Sequence, residues 1–335
     1  MKKTFIIAEV GNTHEGSLGL AKCFIKEAAS CGVDAVKFQT HIFNAESTLE
    51  APNPPYFKDE TRKQYFERTE FSLEQYIELK RYTEQECGVE FISAAFSIEA
   101  VDLLEEVGVK TFKIPSGEVS NTPYLIRVAQ TGKKVLLSSG MSSWAELDEA
   151  VETLKSNGTT DLTILQCTSE YPCPPEHSGL NILIEMNKRY NLEVGFSDHT
   201  LGTAIPIAAV IQGATVVEKH FTLSKKMYGS DAKNSTEPHE FKSLVDQIRA
   251  VELALNNQVN KDETQQKLQH MKQIFEKSIV AAETLTQGTT IKPEHLAYKK
   301  PGDGIPARKF REFIGKTLAV DLVKDQKILT THFLT

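Results

Sequence analysis

The stretch "GATVVEKHFT", residues 213–222, decides how this 335-residue chain is read. A short apolar run, Thr215 to Val217, is closed directly by an acid, a base and an imidazole at Glu218, Lys219 and His220. Such a run marks a strand leaving a core, and its charged end is either an exit or a site. Working outward, it is the last of eight similar runs. The others are "TFIIAEV" (4–10), "AVKFQT" (35–40), "EFISAAF" (90–96), "TFKIPSG" (111–117), "KVLLSSG" (134–140), "LTILQCT" (162–168) and "EVGFSDH" (193–199). Segments with helical spacing separate them, such as "LGLAKCFIKEAASCG" (18–32) and "SIEAVDLLEEVG" (97–108), which end in Gly as a helix C-terminus does. Strands alternating with helices imply an α/β chain with a parallel sheet and right-handed crossovers. Eight such units suggest a (β/α)8 TIM barrel over residues 1–258, with an open doubly wound sheet as the main competitor.

The second unit carries a long insertion, "HIFNAESTLEAPNPPYFKDETRKQYFERTEFS" (41–72), and long loops after barrel strands serve the active face. A polar linker, partly helical, is expected over 259–277. Beyond it, residues 278–296 and 316–334 resemble each other: apolar strand, turn, then an Ile or Leu three or four residues before a His. This weak duplication predicts a small β-rich domain over 278–335, which buries little by itself and is expected to lean on something.

A composition of 40% hydrophobic and 25% charged residues is that of a globular protein, and no segment approaches the roughly 20 apolar residues of a membrane span. The start "MKKTFIIAEV" is broken at Glu9, too early for a signal peptide, so a cytoplasmic protein is expected. The cysteines, at 23, 31, 87, 167 and 173, make no disulfide framework or C-x-x-C site and read as reduced thiols. A net charge of −7 argues against a nucleic-acid surface.

In a barrel the C-terminal strand ends carry the chemistry. Here they hold Glu9 with Asn12 and His14 beyond it, Lys37 and Gln39, and Lys113 with Ser116 and Glu118. Further round come Ser138 and Ser139, Ser169 and Tyr171, Ser197-Asp198-His199, and Glu218-Lys219-His220. A single strand-end lysine is more often a salt-bridge partner than a ligand. Two lysines and several hydroxyls aimed at one mouth make an anion site for phosphate or carboxylate. His199 and His220 end adjacent strands, and beside Asp198 and Glu218 they suggest a divalent metal with open positions. Cys167 sits at a strand end without an obvious base.

These motifs resemble the sialic acid synthases, bacterial enzymes that condense phosphoenolpyruvate with an N-acylated hexose. The resemblance runs through "IIAEVGNTHEGSL", "AVKFQTH", "FISAAFS", "FKIPSGE", "LLSSGMSS", "QCTSEYPCPP", "VGFSDHT" and "VVEKHFT", and the C-terminal segment is similar to antifreeze-like (SAF) modules. It implies that His199 and His220 bind manganese or magnesium. It implies a phosphoenolpyruvate pocket of Lys37, Lys113, Ser116, Ser138 and Ser197, with Ser169 where the family commonly has Asn. Glu9, Gln39, Tyr171 and Asp231 are implied as sugar contacts, and Glu118 as the base near the reacting carbons. It also implies a domain-swapped homodimer in which the small domain covers the partner's barrel mouth. Lys300 stands where the family has an arginine reaching the partner's sugar, with Arg308 or Arg311 as substitutes. Phe38 and "KIPSGE" look more like legionaminate synthases than the N-acetylneuraminate type, and "ISAAFS" lacks the usual Thr-Pro at 94 and 95. The expected acceptor is N-acetylmannosamine or 2,4-diacetamido-2,4,6-trideoxymannose. The alternatives are a non-catalytic carbohydrate-binding protein and a metal-dependent phosphoester hydrolase.

Overall fold

The computed structural model describes residues 2–53 and 59–334. Residues 54–58, inside the long insertion, lie outside the described residues, so the expectation for that loop rests on its two flanks. The chain forms two compact units, Met1–Asn256 and Asn257–Thr335.

In the first unit every one of the eight runs is a strand: β1 (Phe5–Gly11), β2 (Ala35–Thr40), β3 (Glu90–Ala95), β4 (Thr111–Ile114), β5 (Lys134–Ser138), β6 (Leu162–Cys167), β7 (Glu193–Asp198) and β8 (Val216–His220). All neighbours pair in parallel, and β8 returns to β1, which closes the barrel and excludes the open sheet. Local chemistry starts the helices between them. Ser17 accepts from the Leu20 N–H to cap Leu18–Ser30, and capping boxes open Arg62–Thr69, Leu73–Arg81 and Trp144–Ser156.

Side chains alternate across a strand, so each strand feeds one set of residues to the helices and the other to the barrel axis. Outward residues such as Ile6, Val36, Phe112, Leu137 and Val217 join the large core under the helices. The axis is filled at its base by a separate cluster of Ile7, Ala35, Ile92, Leu136, Leu165 and Val216. Gly195 completes that floor, since a Cβ there would meet Leu165 Cδ2 at 2.4 Å and Val216 Cβ at 2.8 Å. Two residues further along each strand the same inward face carries Glu9, Lys37, Ala94, Ser138, Cys167, Ser197 and Glu218. A dry apolar floor therefore supports a polar layer, and Lys113, paired with Ala94 and Leu136, belongs to that layer.

The second unit begins with two short helices, Lys261–Lys267 and Gln269–Phe275. Then β9 (Ser278–Ala281) pairs antiparallel with β10 (Leu296–Lys299). Ile279, Leu318, Leu322 and Ile328 are fully buried in its small core. The two similar segments close alike: the helical turns Pro293–His295 and Thr330–His332 each place a His whose Nδ1 accepts a backbone N–H, from Lys292 at 3.2 Å and Leu329 at 3.3 Å.

Candidate active site

A cavity of about 760 Å³ opens over the polar layer. Its lining includes every residue of the first unit that the resemblance implies as a metal, substrate or catalytic contact: Glu9, Lys37, Gln39, Lys113, Ser116, Glu118, Ser138, Ser169, Tyr171, Ser197, His199, His220 and Asp231. Lys300, Arg308 and Arg311 belong to the second unit. There the Lys300 ammonium lies 5.0 Å from the Phe275 ring centroid.

Strand register sets the floor of this cavity. Pairing places Glu9 beside Lys37 and His220, and Ser197 beside Glu218. Lys37 Nζ lies 2.7 Å from Glu9 Oε2 and 3.7 Å from Glu218 Oε1, while Lys113 Nζ lies 3.1 Å from the same Glu218 oxygen. The Ser197 hydroxyl donates to Glu218 Oε1 at 3.0 Å. All four charged groups are at most 5% exposed, so each charge must be met locally. The two carboxyls are driven apart. Burial pushes Glu9 up, helped by repulsion from Glu218, whereas Glu218, despite its burial, is pulled down by Lys113 and Lys37. With Glu9 partly relieved of charge, the layer keeps positive potential for an incoming anion. The Ser138 hydroxyl and Glu218 Oε2 are buried without a hydrogen-bond partner among the described residues.

Glu218 was expected beside the histidines, and Asp198 with it. Both face elsewhere. Glu218 reaches down into the lysine layer, and Asp198 pairs with Lys219 on the outward face, where it also accepts from Thr200 at 2.8 Å. The parity of a strand explains this: 197 and 199 share one face and 198 the other, as 218 and 220 do against 219. That signal was present in the sequence.

At the rim His199 and His220 converge, their ring centroids 5.5 Å apart, with Tyr171 4.1 Å from His199. His199 Nδ1 donates to the Thr168 carbonyl at 2.7 Å, which leaves the Nε2 lone pair available. His220 Nδ1 is buried without a partner, and burial holds its protonation well below the ordinary imidazole range. Two oriented imidazoles, one with an orphaned nitrogen, fit a divalent ion. Among the described residues no group of three or more His, Cys, Asp or Glu is arranged to hold a metal, so the imidazoles would be the protein's share and water or substrate oxygens the rest.

On one wall Ser116 accepts from the Gly140 N–H at 3.0 Å. A Cβ at Gly140 would meet Ser169 Oγ at 2.4 Å and Ser116 Oγ at 2.6 Å, so glycine lets both hydroxyls approach. Cys167 Sγ lies 3.8 Å from Ser116 Oγ and 4.0 Å from His199 Nδ1. Glu118 is half-buried, its carboxyl raised by burial and partly restrained by Asn121, which donates to it at 2.7 Å. His14 does not line the cavity. It is buried, stacked on Phe71 at 4.4 Å, and its Nδ1 accepts from the Gly16 N–H at 3.1 Å.

The opposite wall was missed in the sequence. His41, Glu46, Arg62 and Phe66 line the cavity from the insertion, with Phe96 from the end of β3. The first four lie in the insertion, where only its length and its place after a barrel strand signal function.

Comparison with known proteins agrees with this geometry. The chain is 41% identical to the N,N'-diacetyllegionaminic acid synthase of Campylobacter jejuni, over 98% of this chain and 99% of the relative. It is 36% identical to the human N-acetylneuraminate-9-phosphate synthase, over 97% and 91%. Among solved structures, the N-acetylneuraminic acid (sialic acid) synthetase of Leptospira borgpetersenii superposes with a TM-score of 0.70 at 30% identity, covering 81% of this chain and 92% of that one. The NeuB family model matches residues 24–260 and the SAF domain model residues 276–334, and the chain belongs to the NeuB family with a C-terminal SAF domain.

Proposed function

We propose that this protein is a nonulosonic acid synthase that condenses phosphoenolpyruvate with an N-acylated mannosamine-type sugar, releasing phosphate and a nine-carbon 2-keto acid. The observation that carries the reading is the buried layer of Lys37, Lys113, Ser138, Ser197 and Glu218 directly beneath the His199–His220 pair. It offers ammonium and hydroxyl donors to a phosphate and carboxylate on one side, and two imidazoles on the other.

In this reading Lys37 and Lys113 hold phosphoenolpyruvate with Ser116, Ser138, Ser169 and Ser197, and stabilise the phosphate as it leaves with C–O cleavage. Glu9, Gln39, Tyr171 and Asp231 orient the open-chain sugar so that its aldehyde carbon meets C3 of phosphoenolpyruvate. Glu118, raised by burial, accepts a proton when water adds at C2. His199 and His220 would hold a manganese or magnesium ion, which when bound makes the aldehyde carbon electrophilic.

Full-length similarity to a diacetyllegionaminic acid synthase favours 2,4-diacetamido-2,4,6-trideoxymannose as acceptor, with N-acetylmannosamine the alternative. Leu268, between the two short helices of the second unit, and Met271, Ile274 and Phe275, on the second of them, are exposed. They support a homodimer in which Lys300 reaches the partner's sugar. The setting proposed is cytoplasmic, and no helix among the described residues is long and apolar enough to cross a membrane.

The test is phosphate release from phosphoenolpyruvate by purified protein with manganese, run with each acceptor in parallel and with products identified by mass. Release with neither sugar would overturn the acceptor class.

A further inference from the structure

We infer that His41, which none of the proposed substrate contacts includes, is the positioning residue for the acceptor end of the site. In this role it fixes the Gln39 amide, and the role rests on the acceptor reading given above.

His41 is clamped. Its ring lies between Phe66 from the insertion and Phe96 from the end of β3, each centroid 3.9 Å away, at interplanar angles of 6° and 27°. The ring is 8% exposed and cannot tilt without breaking two stacked faces. Its in-plane hydrogen bonds are therefore aimed by packing. Nδ1 sits 2.9 and 3.0 Å from the two oxygens of Glu46, and Nε2 lies 3.2 Å from Gln39 Oε1. The Gln39 Nε2 in turn donates to Glu9 Oε1 at 2.8 Å, and Glu9 pairs with Lys37.

The Glu46 carboxylate only accepts, so the ring donates from Nδ1 to Glu46, and the Gln39 amide completes the line at Nε2. Through that contact His41 sets which end of the Gln39 amide faces Glu9. The insertion thus reaches the lysine layer through a single hydrogen-bonded line, Glu46–His41–Gln39–Glu9–Lys37, and the acceptor meets a Gln39 of one orientation.

Two measurements on the full chain test this. In a long-range proton–nitrogen correlation of histidine-labelled protein, the ring that disappears in His41→Asn is expected to carry a proton on Nδ1, the nitrogen that faces Glu46. A bare Nδ1 on that ring overturns the inference, whatever the enzyme turns over. In steady-state kinetics, His41→Phe keeps an aromatic ring in the stack and removes both hydrogen bonds. It is expected to raise the acceptor KM about tenfold, the loss of one to two hydrogen bonds, while the phosphoenolpyruvate KM stays within about twofold. An unchanged acceptor KM, or equal losses for both substrates, sinks the positioning role. Failure of the wild-type protein to use any N-acylated sugar would instead be a failure of the acceptor reading, and the nitrogen signature would still stand or fall by itself.

Discussion

Glu218 Oε1 lies 3.1 Å from Lys113 Nζ at the centre of the barrel, and the same oxygen receives Ser197 at 3.0 Å while Lys37 stands 3.7 Å away. This carboxylate thus stands between two buried ammonium groups, and Glu9, the nearer partner of Lys37 at 2.7 Å, has its own carboxyl raised by burial. Removing one member of a buried charge group leaves the others uncompensated, at a cost of about 3–5 kcal/mol.

Glu218→Gln is accordingly expected to melt well below the wild type. Inorganic phosphate supplies the missing negative charge, so it should recover more of the melting temperature in the variant than in the parent. Thermal unfolding with and without phosphate checks both parts, and a variant as stable as the parent with the same phosphate response would refute the balance.

His199→Ala and His220→Ala are expected to remain folded and to lose metal-dependent turnover. His220 brings an unpartnered buried nitrogen, and His199 meets the Thr168 carbonyl and the exposed Tyr171 ring, so alanine removes contacts at the rim and leaves the barrel core intact. Chelation should abolish wild-type activity and added manganese restore it. Full activity in both variants would remove the metal from the site.

The barrel was legible because eight runs of β-rich sequence alternate with helical ones, and because closure needs only the β1–β8 pairing that this count implies. The floor of the site was legible for the same reason. Lys37, Lys113, Ser138, Ser197 and Glu218 each interrupt an apolar strand near its C-terminal end, where an unpaired polar group has no place in a core. Asp198 and Lys219 show the limit of reading strand ends without parity, since they pair outside the axis. His41 and Glu46 show another limit. Their roles depend on Phe66, on the short helix Arg62–Thr69 of the insertion, coming back to stack on His41, a long-range contact that no local pattern encodes.

His14 makes the fold sensitive to acid. Burial, with the nearby Arg68 charge, lowers its protonation to about 3, against 6.5 for the free side chain. Below pH 6.5 the unfolded chain takes up a proton that the fold refuses, so stability falls with pH until the folded ring also protonates near 3. The slope is about 1.4 kcal/mol per pH unit from this group. His14→Asn keeps an acceptor for the Gly16 N–H but does not titrate. Denaturant unfolding between pH 7 and 4.5 should therefore be flatter for the variant by about that slope, and an identical pH dependence would show that His14 is not the responsible group.

Gly140 is a test of the wall that faces the proposed phosphoenolpyruvate site. No positive φ is required of it, so a side chain there costs no backbone strain. The cost is local: an added Cβ displaces the hydroxyls of Ser116 and Ser169 and presses on Cys167 Sγ at 3.0 Å. Gly140→Ala is expected to lose about tenfold or more in kcat/KM for phosphoenolpyruvate, in line with the ~1–3 kcal/mol of overpacking, with the acceptor KM little changed. Adding Ser116→Ala removes one of the two clashing hydroxyls and lets the methyl group shift away from Ser169, so the double variant should lose less than the product of the two single losses. Simple multiplication of the two effects would mean that the residues act independently and that the glycine serves only the loop's path.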